Sequence, residues 1–188
     1  LAKARMSDGV VDLFQLEAQN LTAIKNASID IVLCHWALTL MDPITPVLKE
    51  VNRILSSGGK FAALVNGPMD TAPGYLDVYN LIYKYVQTKL PNYGKIDLGD
   101  PRIRATKSLE HLVGEAFPSA EVSIENNIVS MVGPVAEVSE TAAGFFYASF
   151  ILPTELRMIM LSDLSKLLSV SKQEGRFIMP ISRLIVKK

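Results

Sequence analysis

The chain has 188 residues, 49% of them hydrophobic, with 19 basic and 19 acidic side chains and a formal net charge of zero. That length is one domain by default and can bury a sizeable core, while zero net charge argues against nucleic acid or an anionic membrane as the main partner. The single cysteine rules out an intramolecular disulfide and fits a reducing cytoplasm, no N-terminal stretch has signal-peptide form, and the longest apolar run, 142–152, is too short to span a bilayer.

In chain order, residues 10–16 (VVDLFQL) read as a strand, with Glu17-Ala18 directly after it. Ile29, Ile31, Val32, Leu33 and Cys34 form a second apolar run, interrupted only by Asp30. A run this continuous predicts a parallel strand covered on both faces. Asp42-Pro43 is a helix start, because Asp can accept the orphan N–H groups of a first turn and Pro at the first helical position loses nothing it needed. Val47, Leu48, Val51, Ile54 and Leu55 repeat at helical spacing, with Lys49, Glu50, Asn52 and Arg53 between them. Gly58-Gly59 can close that helix, and 61–65 is again continuous apolar. Strand, helix and strand make one βαβ unit.

The second half continues the pattern. Residues 75–90 predict a helix with Leu76, Tyr79, Tyr83 and Val86 on one face, and 91–101 (PNYGKIDLGDP) is a loop dense in turn residues. Residues 108–117 predict a short helix opened by Ser108-Leu109-Glu110. Residues 121–132 predict a strand whose middle, Glu125-Asn126-Asn127, is a bend or bulge. Residues 134–172 form one long insertion with two helices, 135–149 and a second restarted by Pro153, along which Leu156, Ile159, Met160, Leu164, Leu167 and Leu168 repeat at helical spacing. Phe145-Phe146-Tyr147 and Phe150 mark their junction. The plainer reading packs these helices on the sheet; the sharper one makes them a lid over an apolar substrate. Residues 176–187 predict the last strand, with a bulge or an edge at Pro180, which cannot donate a ladder bond.

Sheets of this kind bind ligands outside the carboxyl ends of their strands. Those ends are Cys34-His35-Trp36, Asn66-Gly67-Pro68 and, if 10–16 is a strand, Glu17-Ala18. The run F-x-x-E-A-x-x-L at 14–21, S-I-D-I-V at 28–32 and V-L-K-E-V-N-R-I-L-S-S-G-G-K at 47–60 resembles the class I S-adenosylmethionine-dependent methyltransferases, above all their small-molecule enzymes. The resemblance covers residues 1–66 well and the rest in outline. It implies a three-layer, Rossmann-like α/β sheet, mostly parallel with an antiparallel last strand and helical insertions, in a single domain over 1–188. It implies S-adenosylmethionine as cofactor and methyl transfer to a small-molecule acceptor by in-line displacement. By position, Glu17 with the Ala18 backbone would cap the adenine amino group, and Cys34, His35 and Trp36 would lie against the methionine part. Arg53 and Gly58-Gly59 would be structural.

The family's Gly-rich loop and the acidic residue that holds the ribose are missing: only Gly58 and Gly59 are adjacent among eleven glycines, and no two are separated by one residue. Residues 1–7 (LAKARMS) look like the end of the helix before the family's third strand. Two βα units are therefore expected upstream, and the chain by itself is expected to bind cofactor poorly and to be inactive.

Individual residues carry paired readings. His35 is the one candidate for a general base, or a loop histidine whose backbone does the work; the family's use of main-chain atoms favours the second. Trp36 either stacks on a ligand or wedges the loop. Cys34 reads as a small buried apolar residue, His111 as a surface residue, and Tyr75, Tyr79 and Tyr83 as core. Arg102 or Arg104 could hold a substrate carboxylate, in a basic stretch that otherwise reads as a solvated face. Two histidines and one cysteine are too few for a zinc site. Two other classes stay open: a non-catalytic methyltransferase-like binding protein using 134–172 as an interface, and a nicotinamide-dependent reductase.

Overall fold

The computed structural model describes residues 12–92 and 99–188. The expectations for 1–7 and for most of the 91–101 loop lie outside them, as do the first two residues of the 10–16 segment. The rest of that segment, 12–16, is irregular and exposed rather than a strand. Among the described residues no strand pairs with it, and an isolated strand is not stable.

Among the described residues four strands make one mixed sheet in the order β1-β2-β4-β3: β1 (Ile29–His35), β2 (Leu55–Asn66), β3 (Glu121–Pro134) and β4 (Glu174–Lys187). β1 and β2 are parallel, joined through helix α1 (Ile44–Ile54), which is the predicted βαβ unit. β4 runs antiparallel to both β2 and β3. The last strand is thus the reversed one, but it lies between β2 and β3, so among the described residues the sheet has a single parallel ladder. β1 is not covered on both faces: Ile31 is 60% and Leu33 77% exposed, while Val32 and Cys34 pack against the core.

Helix α1 buries Ile44, Val47, Leu48, Val51 and Ile54, the stripe its spacing predicts. Its ends are closed by other means than expected. Pro43, not Asp42, occupies the cap position, with no side-chain cap of its own. The carboxylate that meets the Ile44 N–H is Asp100, a residue distant in sequence. At the other end the Lys188 ammonium donates to the carbonyls of Asn52 (2.6 Å) and Leu55 (2.9 Å), a cation on the negative end of the helix dipole. Gly58 and Gly59 serve instead in an irregularity of β2. Ile29 pairs with Leu55 but Ile31 with Lys60. Gly58 takes a φ of +77°, and a Cβ on Gly59 would stand 2.9 Å from the Ser56 carbonyl oxygen.

Helix α2 (Tyr75–Gln87) buries Tyr75, Val78, Ile82 and Val86. The expected face through Leu76 is wrong by a quarter turn, and Leu76 is 50% exposed. Helix α3 (Thr106–Ala116) starts before Ser108, with Ala105 at the cap position, so Ser108 lies within its first turn. Strand β3 runs without a break opposite β4, from Glu121–Lys187 to Pro134–Glu174. Asn126 causes no bend because its side chain is satisfied within the sheet, accepting from the Ser182 hydroxyl at 2.7 Å. Pro180 makes no bulge either. Its carbonyl accepts from the Gly67 N–H (3.1 Å), and the β2 ladder ends one residue away at Asn66–Ile181, so the missing donor faces no strand. The insertion folds as α4 (Val135–Gly144), which stops short of Ser149, a 3-10 turn, and α5 (Thr154–Leu168). Met160, Leu164 and Leu168 are buried on α5, whereas Ile159 and Leu167 are exposed.

Two apolar cores result. The first joins α1 and α3 to the sheet through Phe61, Ala63 and Val65 of β2 and Leu184 and Val186 of β4. The second joins α2, α4 and α5 to Phe177 and Met179 of β4. Successive side chains on a strand point to opposite faces. Burial along β4 changes from odd to even positions at Met179-Pro180, so the two helical layers cover opposite faces of different halves of that strand.

Candidate functional site: a cavity at the strand tips

β1 ends at His35 and β2 at Asn66, side by side in the parallel ladder. Trp36 follows β1 with φ +58°, a left-handed conformation that costs an L-residue energy. Three bonds hold it there. Its N–H donates to the Leu64 carbonyl at 3.0 Å, its carbonyl accepts from the Thr39 hydroxyl at 2.6 Å, and its indole Nε1–H donates to Asn66 Oδ1 at 2.6 Å. The His35 ring stands edge-on to the indole at 4.7 Å, and Phe145, from the end of the α4 segment, lies 5.9 Å away on the inserted side. One tryptophan therefore ties together both strand tips and the insertion.

Beside it opens a cavity of about 500 Å³. His35, Trp36, Thr39 and Leu40 form one wall, and Asn66, Gly67, Pro68 and Met69 another. Tyr75, Tyr79 and Tyr83 on α2 face them, with Phe145 and Phe146 from the insertion, Met179 from β4, and Arg104. The Tyr79 and Tyr83 rings are stacked at 3.8 Å, and Phe146 stands edge-on to both, at 6.1 and 6.5 Å. Such aromatic contacts fix ring positions beyond what area burial does. Burial, reinforced by the neighbouring Tyr79, pushes the Tyr75 hydroxyl up to about 12, so it stays a neutral phenol at physiological pH. Asp100 is buried and paired with Arg102 at 2.6 Å, and the guanidinium holds its carboxyl below the usual carboxylate range. Arg102 is thereby committed to structure, and Arg104 is among the residues that line the cavity.

Of the residues singled out from sequence, the cavity gathers His35 and Trp36 together with Asn66. Cys34 does not line it: the thiol points to the first core, where burial raises its pKa and the N–H groups of Leu38 and Ala37 partly oppose that. Ala18 also packs on the first core. Glu17 is exposed and accepts from the Gln19 amide at 3.0 Å, away from the cavity wall. His111 lies on the surface beside Glu115. Tyr75, Tyr79 and Tyr83, read as core, lie in or against the second core and also line the cavity. Thr39, Met69 and Met179 had no distinguishing signal, each being one ordinary residue in a loop or strand. Phe145-Phe146 did have one, as an aromatic run at a helix junction. Among the described residues no group of three or more His, Cys, Asp or Glu side chains could hold a metal, and no helix is long and apolar enough to cross a membrane.

The segment carrying Glu17-Ala18 is fastened to α1 by an ion pair. Arg53 Nε and Glu50 Oε1 are 2.8 Å apart, Arg53 Nη1 and Nη2 donate to the carbonyls of Ile24 (3.0 Å) and Leu21 (2.9 Å), and Glu50 accepts from the Leu21 N–H at 2.8 Å. The structural role expected of Arg53 is this clamp.

The family model described as a methyltransferase domain matches residues 1–63. No curated protein matches the sequence. Among solved structures, a candidate methyltransferase from Bacillus halodurans is 13% identical with a TM-score of 0.55, over 95% of this chain and 78% of that one. A candidate methyltransferase of an antibiotic biosynthesis pathway from Anabaena variabilis is 14% identical with a TM-score of 0.53, over 93% and 72%. The YcgJ protein of Bacillus subtilis is 12% identical with a TM-score of 0.52, over 93% and 70%. At these identities the structures speak for the fold. The match to a methyltransferase domain spans the first third of the chain, and the solved structures show that the chain shares their fold.

Proposed function

We propose that the protein transfers a methyl group from S-adenosylmethionine to a small molecule held in the aromatic cavity. The observation that carries this reading is the position of the cavity, at the carboxyl tips of two adjacent parallel strands, where α/β sheets take their ligands. When bound, the cofactor supplies an electrophilic sulfonium methyl group. His35 and the Trp36 backbone would hold its methionine side, at the mouth of the cavity. Glu17 would cap the adenine, and its exposed, acceptor-only carboxylate suits an amino group.

The chain's own contribution is positioning. Holding two reactants in line is worth about 7 kcal/mol or more in favourable cases. The Trp36 latch and the Tyr79-Tyr83 wall supply a rigid frame for the acceptor. A hydroxyl acceptor needs a base within reach; His35 fills that role, since Tyr75 is held as a neutral phenol. We assign the insertion as the cover of the site: Phe145 and Phe146 close its top and exclude water.

The test is a thermal-shift series on the intact protein with S-adenosylhomocysteine and with NADPH. A ligand that binds only the native state stabilises it by about 2.7 kcal/mol at a hundredfold excess over Kd. A shift with the homocysteine nucleoside alone supports methyl transfer. A shift with NADPH alone overturns it for a reductase, and a shift with neither overturns it for a non-catalytic binding protein. Glu17→Ala should weaken cofactor binding with little loss of stability.

A further inference from the structure

We infer that the acceptor is an elongated apolar molecule: its reactive head enters the cavity and its hydrocarbon chain lies across the cavity's rim. This rests on the cavity being the acceptor site. Three of the lining side chains are large, apolar and about half in water: Leu40 (52% exposed), Met69 (41%) and Phe145 (41%). A side chain that both lines a cavity and meets solvent stands at its opening. The three come from different elements: the 3-10 turn after β1 (Ala37–Leu40), the 3-10 turn after β2 (Met69–Thr71) and the residue that caps α4. Exposed apolar residues scattered singly are ordinary, but a cluster of them around one opening marks a ligand groove. The interior offers little to a strongly polar guest. Among the described lining residues there is no carboxylate. Asn66 Oδ1 accepts from the Trp36 indole, and the Thr39 hydroxyl donates to the Trp36 carbonyl, so both are taken up within the chain. Tyr75 is buried and keeps its proton, and Arg104 already has an interaction of its own. What is left beside His35 is aromatic and thioether surface from Trp36, Tyr79, Phe146 and Met179, which takes up apolar matter by burial and stacking. A compact guest held inside would leave the rim in water; a chain running out of the cavity covers it. Met69, unbranched and adaptable, can follow a flexible chain.

Trp36 is the only tryptophan in the chain and lines the cavity, so its emission reports occupancy directly. The intact protein is titrated with 4-ethylphenol, 4-butylphenol and 4-octylphenol, neutral probes that differ only in the chain, with excitation at the red edge, where phenols do not absorb. A methylene fully withdrawn from water is worth about fourfold in Kd, and one resting on an open rim about twofold. Kd should therefore fall about tenfold or more from the ethyl to the octyl probe. Leu40→Ser combined with Met69→Ser, both at exposed positions, should shrink that ratio severalfold with unchanged circular dichroism. Met158→Ser combined with Ile159→Ser, exposed apolar positions outside the cavity lining, should leave the ratio as it is. A Kd independent of chain length overturns the inference, as does no response to any probe. So does a chain-length gain that survives the rim substitutions. The series is repeated under saturating S-adenosylhomocysteine: a gain that persists supports the assignment, and one that disappears gives the rim to the cofactor and overturns it. Sedimentation with neutral phosphatidylcholine vesicles that falls in the rim variant, while its phenol ratio stays, makes the rim a membrane contact and also overturns it. Stabilisation by S-adenosylhomocysteine without any chain-length gain leaves methyl transfer standing and removes the lipophilic acceptor. A chain-length gain without stabilisation by the nucleoside leaves a lipophilic ligand in the cavity and removes methyl transfer.

Discussion

Replacing Asn66 by Leu tests how the site is held. Trp36 sits at φ +58°, a conformation costing about 1–2 kcal/mol for an L-residue. It is kept there by bonds to Leu64, Thr39 and Asn66. A neutral hydrogen bond contributes about 0.5–1.5 kcal/mol net, so removing the 2.6 Å indole bond takes away a stabilisation as large as the strain it opposes. Asn66→Leu should destabilise the protein by about 1 kcal/mol, a fall in Tm of about 2–4 °C for a chain of this size. The indole should then leave its wedge between the strand tips, so its emission shifts to the red and acrylamide quenches it more. Asn52→Leu is the control. It deletes one bond of similar length, Asn52 Nδ2 to the Ala116 carbonyl at 2.8 Å, far from the cavity, and should lower Tm without altering emission. An Asn66→Leu protein with the parent's emission, quenching and Tm would show that the latch holds nothing.

Three further outcomes follow from the packing and charges. Glu50 titrates at about 2 instead of 4.5, chiefly through its bond to Arg53 and the Leu21 N–H. A depressed carboxylate stabilises the fold above its unfolded pKa and loses that contribution as pH falls toward its folded one. Urea midpoints should therefore drop between about pH 4.5 and 2, and Glu50→Gln should remove that part of the slope. Leu164, fully buried in the second core, should cost about 2–5 kcal/mol when changed to Ala, read from the urea midpoint; a smaller loss would mean that α5 is not locked against α2 and α4. A Cβ on Gly67 would stand 2.8 Å from the Ile181 nitrogen, so Gly67→Ala should cost about 1–3 kcal/mol. Gly114→Ala, where a Cβ meets nothing within 4 Å inside α3, should gain about 0.5–1 kcal/mol; matching Tm changes for the two would refute the steric reading.

The sequence alone determined the local elements whose signals are themselves local. The apolar stripe of α1, the restart of a helix after Pro153 and the β1-α1-β2 unit are legible because side-chain spacing decides which face a single element buries. The strand tips at His35 and Asn66 could be named in advance for the same reason. What only the tertiary structure decided are the matters settled by residues far apart in the chain. Asp100 and Lys188 close the ends of α1 in place of Asp42 and Gly58-Gly59, because an orphan N–H or carbonyl takes whichever partner the fold brings near. β4 slots between β2 and β3, and its buried face switches at Pro180 because different helices cover its two halves. Tyr79 and Tyr83 pack against the second core and also wall the cavity, since helical spacing fixes which residues share a face but not whether protein or a ligand will cover it.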